Sequence, residues 1–208
     1  MDEINSLPAN RSTALELAEE RRLVEEGHQF LDEKRMLLAA EILRRMARYR
    51  QLQHEGATAS RSARAALGNA IAVLGLDAVL LAPTRPLEGQ AQLLSEPFMG
   101  VRLVRLAAPL LRPVPMPAPA PAWPSAALEE ARRAFQDLLS LAAALGVEAT
   151  NLRRLAREYR RTERRARALE NVLLPELDLA LRFVGEQLEL QESEEAIRVH
   201  EARRAPVR

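Results

Sequence analysis

From Ser12 to about Glu55 the chain contains no proline, and Leu17, Val24, Leu31 and Leu38 recur every seven residues with Leu23, Phe30 and Leu37 alongside them. This is a broad helical stripe. Thr13 followed three residues later by Glu16, after Pro8, reads as a capping box that starts the helix. At ~1.5 Å per residue such a helix is roughly 65 Å long. Gly56 and the segment Thr58 to Ser62 read as a break, after which Ala63, Leu67, Ala70, Ile71, Leu74, Ala78 and Leu81 predict a second, smaller helix ending before Pro83.

The pattern then changes. From Val101 to Leu106, apolar and polar residues alternate as in a strand, with Met99 and Gly100 just before it. Ala91 to Ser95 is the expected partner strand, with Glu96-Pro97 near the turn. Pro109 to Pro124 holds seven prolines in sixteen residues, which excludes helix and central strand and predicts an extended polyproline-like linker. Ser125, with Glu129 and Glu130 in the first turn, opens a second long helix predicted to run to about Ala202. Its seam is Leu152, Leu155, Tyr159, Thr162, Ala166, Leu169 and Leu173, continued with a phase shift by Leu177, Ala180, Val184 and Leu188. Pro175 lacks the N–H that would bond the carbonyl of Asn171, so a kink or a loosened turn is expected there.

Neither long helix can bury its stripe alone, and a chain that reverses between them pairs them antiparallel. The predicted fold class is therefore mostly α: a long antiparallel two-helix coiled-coil hairpin with a small middle module of a short helix and a β-hairpin. Three segments follow: residues 1–55 as the N-terminal long helix, 56–124 as the middle module with its proline-rich linker, and 125–208 as the C-terminal long helix. The seam is not uniformly apolar, because His28 and Arg35 fall near core positions of the first helix, and Gly146 and Gly185 weaken the second.

Composition supports thin helical seams over a wide core. Only 3% of the 208 residues are aromatic, while 48% are hydrophobic, much of that Ala and Leu. The formal net charge of +1 comes from 30 basic and 29 acidic residues, so no overall field draws the chain toward nucleic acid or membrane. Lys34 is the single lysine, and there is no cysteine, which removes disulfides and thiolate metal sites and fits a reducing compartment. The start Met1-Asp2-Glu3 has no signal-peptide character, and the apolar run Ala70 to Pro83 is interrupted by Asp77 and too short to span a bilayer.

Candidate chemistry is sparse. The glycines are scattered with no phosphate-binding loop, and His28, His54 and His200 lie far apart, so no catalytic constellation is expected. His28 and Asp32, one helical turn apart, are read as an ion pair rather than a metal site. Glu189, Glu192, Glu194 and Glu195 are read as a solvated face. The sharpest local feature is a run of eight arginines, Arg153, Arg154, Arg157, Arg160, Arg161, Arg164, Arg165 and Arg167, against only Glu158 and Glu163. It suits a contact with acidic partner surfaces, the binding of a polyanion, or a solvated, locally paired face. Arginine pairs well with phosphate, but no aromatic platform interleaves the run and the chain has no large net positive charge, which disfavours nucleic acid.

Several stretches resemble the D-subunit family of V-type and archaeal-type ATPases: Pro8 to Leu38 with Gly27-His28, Leu31 and Lys34-Arg35; the helical pattern of Ala63 to Ala82; Met99-Gly100-Val101; and, most specifically, Arg165 to Leu177 with its Ala168-Leu169-Glu170 run, apolar patch and Pro175. The resemblance implies a non-catalytic central-stalk rotor subunit without cofactor or metal. Its implied partners are the A and B subunits of a catalytic hexamer, the F subunit, and a funnel-shaped adaptor above the membrane ring. Its implied place is peripheral, on the cytoplasmic side of the membrane. Expected contacts are Met99, Gly100 and Val101 toward the F subunit, and Arg157, Arg160, Arg161 and Arg164 toward the hexamer. A non-rotary coiled-coil scaffold or export-machinery stalk protein is the alternative reading of the same pattern.

Overall fold

The computed structural model describes residues 8, 10–82, 87–88, 92–107, 112–113 and 125–204. The elements in chain order are α1 (Arg11–Leu74), α2 (Leu76–Leu80), β1 (Leu87–Glu88), β2 (Leu93–Phe98), β3 (Val101–Leu106), β4 (Arg112–Pro113), α3 (Ala126–Ala168), a π-helical turn (Leu169–Leu173) and α4 (Leu174–Arg204). The fold is mostly helical with a small antiparallel sheet in the middle of the chain, as the periodicity predicts. By packing, the chain divides into two compact units: Met1–Leu37 with Arg160–Arg208, and Leu38–Tyr159.

The start of α1 differs from the expected capping box. Asn10 is the cap: its side-chain oxygen accepts from the Thr13 N–H at 2.7 Å and from the Thr13 hydroxyl at 2.9 Å, and its carbonyl takes the Ala14 N–H at 3.1 Å. An asparagine two residues past Pro8 therefore does what the sequence assigns to Thr13.

The expected break at Gly56 and Thr58 to Ser62 is absent, and α1 runs unbroken to Leu74. One glycine costs a helix only about 1 kcal/mol relative to alanine, and buried Leu52 and Ala63 anchor the turns on either side. The Thr58 hydroxyl donates back to the His54 carbonyl at 3.2 Å, so it is absorbed within the helix. The predicted smaller helix is thus the continuation of α1. The true break is Gly75, with φ 84° and ψ 152°, a conformation open in practice to glycine alone.

In the first unit α1 and the C-terminal helix pair antiparallel: as positions on α1 rise from Arg11 to Arg21, their ion-pair partners fall from Glu192 to Asp178. The buried line is thin and carries Thr162, Ala166, Leu177, Ala180 and Val184, all positions of the predicted seam. Leu23, Phe30 and Leu37, expected within the same broad stripe, are instead 62%, 63% and 46% exposed. A single facing helix covers a narrower arc than the stripe occupies. Ser125 opens α3 as expected, its carbonyl accepting the Glu129 N–H at 3.2 Å.

In the second unit the core joins Leu38, Val101, Leu103 and Leu155, with Ile42, Phe98 and Tyr159 packed around it. Ala63, Ala70 and Ala131 are also buried. The hairpin pairs Leu93 with Leu106 through to Phe98 with Val101. Glu96-Pro97, expected near the turn, lies within β2, and the turn itself is Met99-Gly100, because Gly100 accepts φ 82° while Met99 is held at φ 47°, the two positive φ angles that a tight hairpin turn demands. Within the proline-rich segment, Arg112 and Pro113 pair antiparallel with Glu88 and Leu87. The rest of the predicted linker lies outside the described residues.

Candidate partner-docking surfaces

The hairpin sits on the helices through both its face and its edge. Alternation in β3 sends Val101 and Leu103 inward, where they are 7% and 3% exposed. Of the three residues expected to meet a partner there, Val101 is thus spent on internal packing, while Met99 projects from the turn beside Gly100 and is 40% exposed. At the edge, the buried Asn151 carboxamide on α3 accepts from the Val104 N–H at 2.8 Å and donates to the Val104 carbonyl at 2.7 Å. Arg154, one turn on, donates to the Arg102 carbonyl at 2.6 Å.

The same unit holds a charged network. Glu41, nearly buried on α1, accepts from Arg44 through both carboxylate oxygens at 2.8 Å each and from Arg45 at 2.6 Å. Arg45 then crosses to Glu148 of α3 at 3.0 Å. The hydrogen bonds from Arg44, and secondarily from Arg45, hold the Glu41 carboxyl below its ordinary range against the opposing cost of burial.

The arginine run is solvent-facing. Arg153, Arg154 and Arg157 are exposed in the second unit; in the first, Arg160, Arg161, Arg164, Arg165 and Arg167 are likewise exposed. Arg167 pairs with Glu163 at 2.7 Å. Among the described residues, Arg153, Arg157, Arg160, Arg161, Arg164 and Arg165 have no carboxylate within ion-pair distance. Local pairing, the bland reading of this run, accounts for little of its charge.

The seam of the first unit is polar where the sequence placed His28 and Arg35. Arg21 donates to Asp178 at 2.6 Å and to Glu25 at 2.9 Å, and the Asp178 bond is the main reason its pKa is raised. His28 lies 3.9 Å from both Asp32 and Glu170, too far for a hydrogen bond. Arg35 pairs with Asp32 at 3.1 Å. Of the carboxylates read as a solvated face, Glu189, Glu192, Glu194 and Glu195 are all exposed. Among the described residues, no cluster of His, Asp and Glu could hold a metal ion, and no helix is long and apolar enough to cross a membrane.

Sequence reasoning missed Asn151 and the Glu41, Arg45 and Glu148 network. The one available signal for Asn151 was a polar residue one turn before Leu155 on the seam side. For Glu41 it was two arginines at helical spacings of three and four.

Antiparallel long helices with a thin seam, a small hairpin, and exposed apolar and arginine-rich residues define a mostly helical, coiled-coil protein. Residues 13–204 match the family model for the D subunit of ATP synthase, and the chain belongs to that family. It is 27% identical over 208 residues to the D subunit of the A-type ATP synthase of Pyrococcus furiosus, covering 96% of this chain and 94% of that one. It is 26% identical over 196 residues to the D subunit of the V-type ATP synthase of Thermotoga neapolitana, covering 93% and 95%. To the D subunit of the V-type ATP synthase of Thermus thermophilus it is 29% identical over 204 residues, covering 94% and 87%.

Proposed function

We propose that this chain is the central-stalk rotor subunit of a V/A-type rotary ATPase, a non-catalytic shaft that couples nucleotide turnover in a hexamer of A and B subunits to ion translocation through a membrane ring. The observation that carries this reading, beyond family membership, is the outward face of the first unit. Leu23, Phe30 and Leu37 recur every seven residues and stay largely exposed. A helical pair that spends so little apolar surface on itself is suited to enclosure by other subunits.

The mechanism is coupling by shape. A coil whose faces differ, apolar on one side and arginine-rich on another, offers different contacts to each catalytic interface around it. Nucleotide state and shaft angle then bias one another. Arg157, Arg160, Arg161 and Arg164 contact carboxylates of the surrounding hexamer. The middle module, residues 56–124, docks the F subunit through the hairpin tip at Met99 and Gly100, and the far end of the helices rests on the funnel-shaped adaptor. The complex holds the chain at the cytoplasmic side of the membrane.

Co-expression with A, B and F subunits, followed by purification and observation of a probe attached to this chain, tests the reading. The expected result is a complex in which the probe turns during ATP hydrolysis. Recovery of the chain with some other single partner, or a complex that hydrolyses ATP at the full rate without it, overturns the proposal.

A further inference from the structure

Asn151 is fully buried in the interior of α3, where asparagine contributes nothing to helix stability that alanine or leucine would not exceed. Its carboxamide meets both backbone polar groups of one residue, Val104. The ladder explains why that residue is available. The Ala107 N–H donates to the Gln92 carbonyl at 2.8 Å, so in the antiparallel register the alternate residues Arg102, Val104 and Leu106 turn their peptide groups away from β2. Asn151 therefore occupies the outer edge of β3 as the peptide of a further strand would. Arg154 takes the next outward carbonyl, that of Arg102.

We infer that Asn151 and Arg154 are positioning residues that lock the hairpin onto α3 in one register, with Asn151 acting as a one-residue strand. Hydrogen bonding alone does not select Val104, because Arg102 and Leu106 present the same outward groups. The opposite constraint comes from the face of β3. Val101 and Leu103 fill the space against Leu38 and Leu155, and the next residue on that face is exposed Arg105. A slip by two residues would carry the Arg105 charge into that core. The edge and the face together leave one arrangement, so the hairpin is a fixed projection of α3. The lock also closes β3 to strand addition.

This inference deepens the docking role proposed for the middle module, but the lock itself is testable on the isolated full chain. Hydrogen exchange at the Val104 amide is measured for wild type, Asn151→Leu and Asn151→Asp from about pH 8 to about pH 5, after correction for intrinsic exchange. Leucine fills the space without hydrogen bonds and should lower Val104 protection about tenfold or more while helicity holds. Aspartate at high pH sets a carboxylate oxygen against the Val104 carbonyl and should lose protection. On acidification its buried carboxyl takes up a proton, donates to that carbonyl and should regain it. Charged or titratable groups on the elements that carry this site include Arg102 and Arg105 of β3, Glu96 of β2, Glu148, Arg153 and Arg154 of α3, and Glu41, Arg44, Arg45 and His54 of α1, and the wild-type profile over the same pH range separates their titration from that of the substituted carboxyl.

Wild-type protection in Asn151→Leu, or no recovery of Asn151→Asp at low pH, overturns the lock. Should Asn151→Leu fail to fold, the pH profile of Asn151→Asp decides alone. Affinity for the F subunit is measured in parallel. If Val104 protection behaves as expected while that affinity is unchanged in every variant, the lock stands and the docking role of the hairpin fails.

Discussion

The Leu174 N–H bonds the carbonyl of Leu169, one residue further back than an α-helix reaches, and Pro175 follows immediately. In the first unit Thr162 and Leu169 lie seven residues apart, as do Leu177 and Val184, but eight residues separate Leu169 from Leu177. The π-helical turn absorbs the extra residue and keeps both halves of the stripe on one side. The wide turn also falls directly before Pro175, where the missing N–H would leave the α-type bond to the Asn171 carbonyl unmade in any case.

Two changes separate these causes. Pro175→Ala should raise the unfolding midpoint while the wide turn persists, because the eight-residue spacing remains. Deleting Asn171 restores a seven-residue spacing but brings the ring against the preceding turn, and should cost up to about 3 kcal/mol. The deletion combined with Pro175→Ala should recover that loss. Thermal and denaturant unfolding followed by circular dichroism reads all three.

Glu41→Gln should destabilise the second unit by about 2 kcal/mol, since it removes the charge from a nearly buried group that accepts from two arginines. The folded carboxyl titrates below its ordinary value of about 4.3, so the stabilisation is fully present above that pH and is lost as pH falls through the lowered value. The gap between wild type and variant should therefore close in acid. A gap that stays constant from neutral pH into that range contradicts the assignment.

Met99→Asn should stabilise the hairpin turn by about 1 kcal/mol, because φ 47° is costly for methionine and tolerated by asparagine. If Met99 is a contact, the same variant weakens binding of the F subunit, so stability and affinity move in opposite directions. Deleting Gln90 to Leu106 should abolish that complex altogether. Retained binding in a folded deletion variant would place the docking site elsewhere.

Replacing Arg157, Arg160, Arg161 and Arg164 together by glutamine should leave helicity near normal, since all four are exposed. Each contact with a hexamer carboxylate is worth ~0 to 1 kcal/mol and is screened by salt, so single changes should do little. The quadruple variant should assemble more weakly with A and B subunits or rotate more slowly, most clearly at low salt. Behaviour equal to the parent across a salt series leaves only the steric shaft.

What could be read from the sequence is what repeats. The seam from Leu155 through Val184, its phase shift, the loosened turn before Pro175 and the strand at Val101 to Leu106 all follow from local periodicity, which depends only on backbone geometry and apolar spacing. The outward direction of Arg157, Arg160, Arg161 and Arg164 follows from the same seam. What only the tertiary structure decided is what a residue meets. Gly56 reads as a break, yet it is held within α1 by buried Leu52 and Ala63, while Gly75 breaks the helix through a backbone angle that spacing does not encode. Leu23 and Phe30 look like core until one helix, rather than two, stands opposite them. Asn151 is an ordinary polar residue by composition. It becomes a strand edge only because Val104, 47 positions earlier, turns its peptide group toward it.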